Sequence, residues 1–517
     1  MRASSGPRDV ACPRIAPLGI SLMNRSTLRV FASPRRSLRV MAVTLLATAL
    51  AACVNYRGIH SDSHPASVTD YPASASIPTQ GGAWPAMDWS ARFGDPQLTA
   101  LIQEAVANSP TLAQAKARVA KASAYVQQAD AATGPSADVK YAFTHEHLSG
   151  NTFLPPPIGN STQNESSLML GASYDLDIWG KNHEALRSAI SDRKAAEAEE
   201  QQARLILSTS VAHAYVHLAL LYALRDVAQN EVASRVTIGS LTQERVKTGL
   251  DNEVESRTVD VTIDATQTDV SELDGQIATT RYQLAALLGK GPDRGLQIAR
   301  PVLMDAPDDT LPNNLPADLL SRRPDVVAAH WRIDATKHGV KVAKADFFPD
   351  INLAAAFGYD AFGWGRLFNA SSRQLQAGPA IHLPLFDGGA LRAQLKDRYA
   401  DYDTAVAAYD QTLISALNDV ATQVAEIRAV EQQQTTAQRA YEASRRAYDL
   451  EIIRYKAGLD PQLQVLSSDV ARLEQSQRVA TLRMQRLDAQ VSLIQALGGG
   501  YASSDDVAIV EHGGTTP

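Results

Sequence analysis

The sequence predicts an internally duplicated α+β chain in which four β-strands cross a membrane and very long helices run away from it. Three observations predict this. The two halves repeat one another about 209 residues apart, since Arg454 matches Arg245. Each half holds stretches of apolar alternation about ten residues long. Each half also holds helical pattern far longer than the roughly 12 residues of an ordinary globular helix.

The N-terminal 52 residues carry eight Arg and one Asp, a charge of +7, while the 517-residue chain is −7; the remainder is therefore −14. That balance argues against a nucleic-acid partner. Arg35, Arg36 and Arg39 precede the apolar run Val40–Ala52, which reads as an export signal and is too short to span a bilayer. Residues 1–52 are the expected signal, with Met23 as an alternative start. The run ends in "LAAC", Leu50–Cys53, which resembles a bacterial lipobox and makes Cys53 the expected lipid-anchored first mature residue. A plain signal peptide with a chance Cys is the other reading. Only Cys12 and Cys53 exist, so a lipidated mature chain has no thiol for disulfide, redox or metal chemistry. Residues 53–88 read as a linker.

The first repeat is expected over 89–300, the second over 301–500, and a disordered acidic tail over 501–517. Each opens with helical pattern, Pro96–Asp130 and Pro316–Lys344. Pro110 and Pro135 recur as Pro324 and Pro349, 214 residues on. Alternating stretches follow. In "SLMLGASYDLDI", Leu168, Leu170, Ala172, Tyr174, Leu176 and Ile178 share one face; in "INLAAAFGYD", Ile351, Leu353, Ala355, Phe357 and Tyr359 do. Period two with small or polar residues opposite is the signature of a membrane strand, or of a half-buried soluble one.

Long helices come next. Gly389–Ala457 has no internal Gly or Pro, and Lys181–Gly291 has no Pro. A helix of about 65 residues is about 100 Å long and implies a coiled coil. Val211, Tyr215, Leu218 and Tyr222 form its apolar stripe. Each helix ends in the same turn: "RVKTGLDNEVE", Arg245–Glu255, and "RYKAGLDPQLQ", Arg454–Gln464. Gly249 and Gly458 supply the left-handed residue of a helical hairpin. Pro461 suits the start of the returning helix.

Four strands cannot close a barrel, and an open sheet edge is not tolerated in lipid. Three chains would give 12 strands and 12 long helices. A periplasmic coiled-coil scaffold lipoprotein without a pore, its strands forming a small soluble sheet, is the alternative.

These residues resemble the TolC/OprM-like outer-membrane efflux proteins, most closely their lipoprotein (NodT-type) branch. The motifs are "LAAC" at Cys53, "WSARFGDPQLTALI" at Trp89, "KADFFPDINL" at Lys344, "RYKAGLDPQLQVLSSD" at Arg454 and "LGGG" at Leu497. The resemblance spans about Trp84–Gly500. It implies a homotrimer with a 12-stranded outer-membrane barrel and an α-helical periplasmic tunnel. It also implies an efflux duct partnered by a periplasmic adaptor and an inner-membrane pump, commonly of the RND type. The matching adaptor-docking positions are Arg245, Gly249, Leu250, Arg454, Tyr455, Gly458 and Leu459. The matching aperture positions are Glu255, Tyr455, Asp460, Gln464 and Ser467. Some members carry carboxylates where Gln464 and Ser467 stand, and an Arg where Asp460 stands. Asp460 and Glu255 are thus expected to repel where those members have a salt bridge.

No catalytic motif is present, and neither enzyme activity nor a cofactor is expected. "GKGPDRG", Gly289–Gly295, follows a helix and reads as a connector rather than a phosphate loop. His213 and His217, four residues apart, read as solvated or packing residues rather than metal ligands.

Overall fold

The computed structural model describes residues 55–503, except 68–69, 74, 78–80, 152, 154, 306–310 and 313–314. The expected signal, Cys53 and the tail beyond 503 lie outside the described residues.

The same series of elements occurs twice. The first comprises α1 (Pro96–Asn108), α2 (Pro110–Ala131), β1 (Ser136–His147), β2 (Thr162–Asp175), α3 (Lys181–Lys247) and α4 (Glu253–Leu287). The second comprises α5 (Leu315–Arg322), α6 (Pro324–Ala345), β3 (Asp350–Phe362), β4 (Arg373–His382), α7 (Ala390–Lys456) and α8 (Gln462–Ala496). Both outgoing helices, α3 and α7, have 67 residues, and both returning helices, α4 and α8, have 35. At 1.5 Å per residue the outgoing pair extends about 100 Å.

Each opening helical pattern is two helices rather than one, broken before Pro110 and Pro324. A proline pushes the preceding residue out of the helical region, and Ser109 and Arg323 are both extended, at ψ 126° and 118°. The second strand is also shorter than its alternation. It stops at Asp175, although the Leu176 N–H still donates to the Ile351 carbonyl. Pro461 sits extended just ahead of α8 rather than within its first turn.

The four strands form one antiparallel sheet in the order β1-β2-β3-β4. Register places Tyr141 opposite Leu168 and Leu168 opposite Tyr359; likewise Leu170 meets Val139 and Phe357, and Phe357 meets Leu375. These residues share one face, and many are exposed: Val139 67%, Leu170 50%, Leu375 78%. The other face carries Asp138, Thr144, Ser167, Gly171, Ala356 and Gln376. Trp179 stacks on Phe348 at 4.5 Å beside the strand ends, and Phe386 is 88% exposed nearby. Aromatic residues at that level suit a membrane interface.

The main core lies in the helices. Of the expected stripe of α3, Val211, Tyr215 and Leu218 are fully buried with Leu98, Leu101, Leu284 and Val491, while Tyr222 is half-buried at the edge of that core. An apolar stretch of 18 residues in α3 could cross a bilayer by composition alone, but most of it is buried inside the protein. The "GKGPDRG" segment is a connector: a Cβ at Gly289 would collide with the Asn108 carbonyl, and Arg294 forks onto Glu104.

The sheet generates a paired test. Leu170→Arg puts a charge mid-strand on the apolar face, which in lipid costs on the order of 2–4 kcal/mol. Ser167→Arg puts the same charge on the opposite face. The yield of heat-modifiable barrel and the mass of the detergent-solubilised oligomer should fall sharply for the first and little for the second. Equal damage from both would refute the assignment of faces.

Candidate docking site at the helical hairpin tips

Each hairpin turn closes by the same backbone bonds. The Gly249 and Leu250 N–H groups donate to the Val246 and Arg245 carbonyls; the Gly458 and Leu459 N–H groups donate to the Tyr455 and Arg454 carbonyls. This pattern requires a left-handed residue after the helix, and Gly249 and Gly458 have φ of 75° and 74°. The following leucines, Leu250 and Leu459, are 66% and 69% exposed.

An Arg six residues before an Asp then straps each turn. Arg245 donates to both oxygens of Asp251, Nε to Oδ2 at 2.8 Å and Nη2 to Oδ1 at 3.0 Å. Arg454 forks onto Asp460 in the same way. The copies differ in surroundings: the first pair is largely buried, while Arg454 is 54% exposed.

Tyr455 makes that difference. It is fully buried between the hairpins with Ile238, Val259 and Val465. Its hydroxyl donates to Asp251 at 2.5 Å and lies 3.1 Å from the Thr242 hydroxyl. The Arg245 guanidinium lies 4.4 Å from its ring centre and donates to its carbonyl at 3.0 Å. Gln462, at the start of α8, donates to Thr242 at 2.6 Å. The Arg245 bond holds the Asp251 carboxyl below the usual carboxylate range. Burial, and then Asp251, pushes the Tyr455 hydroxyl up to about 12.

The structure thus brings together Arg245 and Tyr455 among the residues singled out in the sequence. It leaves Gly249, Leu250, Gly458 and Leu459 on the outer turns and exposes Gln464 and Ser467. Glu255 and Asp460, expected to oppose one another, are each engaged in their own turn. Glu255 accepts from the Asn252 N–H at 2.6 Å in a capping box, and Asp460 is held by Arg454. Thr242, Asp251 and Gln462 were missed. Asp251 had a signal, since it recurs as Asp460 at the repeat spacing.

Between α3 and α7, beside the tips, runs a groove of about 540 Å³ lined by Thr237, Leu241, Glu244, Tyr448, Ile452 and Lys456. Among the described residues no group of three or more His, Cys, Asp or Glu side chains could hold a metal. His213 bonds Asp488 at 2.5 Å, while His217 is exposed.

A family model described as "Outer membrane efflux protein" matches residues 101–290 and 315–499. The chain belongs to the outer membrane efflux protein family. It is 36% identical over 371 residues to the fusaric acid resistance protein FusA of Burkholderia cepacia, covering 69% of this chain and 68% of that one. It is 31% identical over 426 residues to the multidrug resistance outer membrane protein MdtP of Escherichia coli K12, covering 81% and 87%. The outer membrane protein VceC of Vibrio cholerae superposes with a TM-score of 0.76 at 34% identity, covering 81% of this chain and all of that one. The outer-membrane channel OprN gives 0.75 at 26% identity, covering 87% and 99%. As a member of the outer membrane efflux protein family, the chain is an outer-membrane efflux duct, which replaces the pore-less scaffold reading.

The asymmetry between the two straps is testable by hydrogen exchange at the tips. Arg245→Ala leaves the largely buried Asp251 without its charged partner and with only the Tyr455 hydroxyl, a loss on the order of 1–3 kcal/mol. Amides of the first hairpin tip should then exchange roughly ten- to a hundredfold faster. Arg454→Ala, in solvent, should change exchange little. Equal effects would show that burial under Tyr455 adds nothing to the first strap.

Proposed function

We propose that three copies of the chain assemble into a 12-stranded outer-membrane barrel continued by a periplasmic tunnel of 12 long helices. It passively conducts drugs or other small toxic compounds delivered by a periplasmic adaptor and an inner-membrane pump, the latter of the RND type. The observation that carries this reading is the contrast between the two ends of α3 and α7. One end joins a sheet with an exposed apolar face and two unpaired edges. The other, about 100 Å of helix away, ends in turns tipped by exposed Leu250 and Leu459. Resistance to drugs or to fusaric acid is what the names of MdtP and FusA describe, and it supports this class of cargo.

In this reading Gly249, Leu250, Arg454, Gly458 and Leu459 form the adaptor's docking surface, Arg245 and the buried Tyr455 hold it from beneath, and the groove beside Tyr448 and Ile452 receives an adaptor helix. Glu255, Tyr455, Asp460, Gln464 and Ser467 border the periplasmic aperture.

Cys53 is the proposed lipid anchor. Asn55 and Tyr56 support it, because they lie at the strand end of the helices. The Asn55 carbonyl accepts from Arg392, and the Tyr56 ring meets Phe347 edge-on at 5.6 Å. Two residues on from Cys53, the chain is thus beside the last turn before β3 and the first turn after β4. Two or more acyl chains give stable attachment. Cys53→Ser should abolish fatty-acid labelling while the barrel still holds the protein in the outer membrane; persistent labelling refutes the anchor.

The docking role is tested at the repeated glycines. A Cβ at Gly458 meets nothing within 4 Å, so Gly458→Val strains only its positive-φ backbone. That strain is on the order of 1–3 kcal/mol and reshapes the turn rather than unfolding the assembly. The variant should insert normally yet lose adaptor crosslinking and efflux, and Gly249→Val should behave alike. Full efflux with intact crosslinking would remove the docking role.

A further inference from the structure

Further from the tips, a second polar cluster is buried where the four long helices meet. Glu231 and Arg235 of α3 are 1% and 8% exposed, and Asp469 of α8 is fully buried. Arg235 Nε donates to Glu231 Oε1 at 2.9 Å and lies 3.5 Å from Asp469 Oδ2. Its Nη1 donates to the Thr262 carbonyl and the Thr266 hydroxyl of α4, at 3.0 and 2.7 Å. Arg472 Nη2 of α8 donates to both Glu231 Oε2 and Asp469 Oδ1, at 2.6 and 2.8 Å. From α7, Tyr448 places its ring centre 4.7 Å from the Arg472 guanidinium and bonds Ser234 at 2.7 Å.

Two carboxylates bonded to one guanidinium nitrogen stand side by side. In a buried site two adjacent carboxylates resist ionising together, and a proton on one relieves both. The cluster also bridges the hairpins crosswise, Glu231 of the first to Arg472 of the second and Arg235 of the first to Asp469 of the second. We propose that this cluster is a proton-controlled latch: with one proton on the Glu231–Asp469 pair the two hairpins stay clamped, and loss of that proton loosens the joint and frees the tips. It rests on reading the tips as the periplasmic end of the duct.

Burial, and then Asp469, pushes Glu231 up to about 8. The folded state therefore favours the protonated form. The latch's contribution is complete at acid pH, where the unfolded chain also holds the proton, and is lost as pH rises through about 8. Of the facing groups, Thr262 and Thr266 do not titrate, and burial raises Tyr448 further above its already alkaline value. Nearer the tips, Asp251 is held low and Tyr455 is pushed up to about 12, so neither changes charge in this interval. Glu451, raised by burial and by Asp460, is the competing group and serves as the control.

Val465 is fully buried between the hairpins, so Val465→Cys reports loosening by maleimide labelling of the full-length protein in detergent. Rates are normalised to Leu459→Cys, an exposed site that corrects for thiol ionisation. Between about pH 6 and about pH 9 the normalised rate should rise about tenfold or more. Adding Glu231→Gln should hold it at the low-pH value, and adding Glu451→Gln should leave the rise intact. A flat profile with Val465→Cys alone, the same rise with Glu231→Gln, or loss of the rise with Glu451→Gln would each overturn the latch. Hydrogen exchange of the unsubstituted chain around Thr242, corrected for intrinsic rate, must follow the same trend; a flat profile there also overturns it. None of these readouts involves the adaptor, so their failure is distinct from failure of the docking role.

Discussion

A bilayer interior offers no water to an unpaired backbone group, and the sheet of this chain has two unpaired edges, β1 and β4. Much of the architecture answers that constraint. Residues with an apolar outer face and a small or polar inner face can line a conduit only when the sheet closes, and four strands are too few to close. In the proposed trimer, neighbouring copies supply the remaining strands. Once they do, the helices that leave each strand pair are committed to a ring of the same symmetry. Their length then sets how far from the membrane the tips stand, and their equal length in the two repeats brings both turns to one level.

The repeated turn shows how one covalent pattern acquires two roles. Gly, the bonds across the turn and the Arg–Asp strap are local, so duplication copied them intact. The position after the Arg differs: Val246 in the first copy, Tyr455 in the second. Only the tyrosine carries a hydroxyl able to reach across to the other hairpin, and it does so to Asp251. The first strap therefore became part of the joint between hairpins, while the second stayed in solvent. Arg454–Asp460 holds a turn; Arg245–Asp251 holds a turn and a neighbour.

What the sequence made legible was what depends on near neighbours along the chain. Period-two alternation, uninterrupted helix formers and the two Gly turns all report local geometry, and the strands, hairpins and tips follow from them. Pro110 and Pro324 were visible, yet their effect on Ser109 and Arg323 was passed over in favour of continuous periodicity. The polar joints were not legible. Glu231 and Arg235, four apart, look like any surface ion pair on a helix, and nothing nearby says that Asp469 and Arg472 meet them from more than 230 residues away. The Glu255 bond is local, to the Asn252 N–H three residues back, and its capping pattern was passed over.

The two joints also explain how a coiled coil this long keeps its register. Part of the seam is built from small buried residues such as Ala198, Thr280 and Ala437, which discriminate weakly between one alignment and the next. A slip of one turn moves a helix by about 5.4 Å. At Glu231 and Asp469 such a slip would strand buried charges opposite the wrong partners, and breaking a buried pair costs about 3–5 kcal/mol. At Tyr455 it would pull the hydroxyl off Asp251 and Thr242 together. Sliding is therefore opposed at two levels, by the buried cluster and by the tip joint. Parting of the hairpins then has to give up both joints, the cluster of Glu231 and Asp469 with Arg235 and Arg472 and the tip joint of Tyr455 with Asp251.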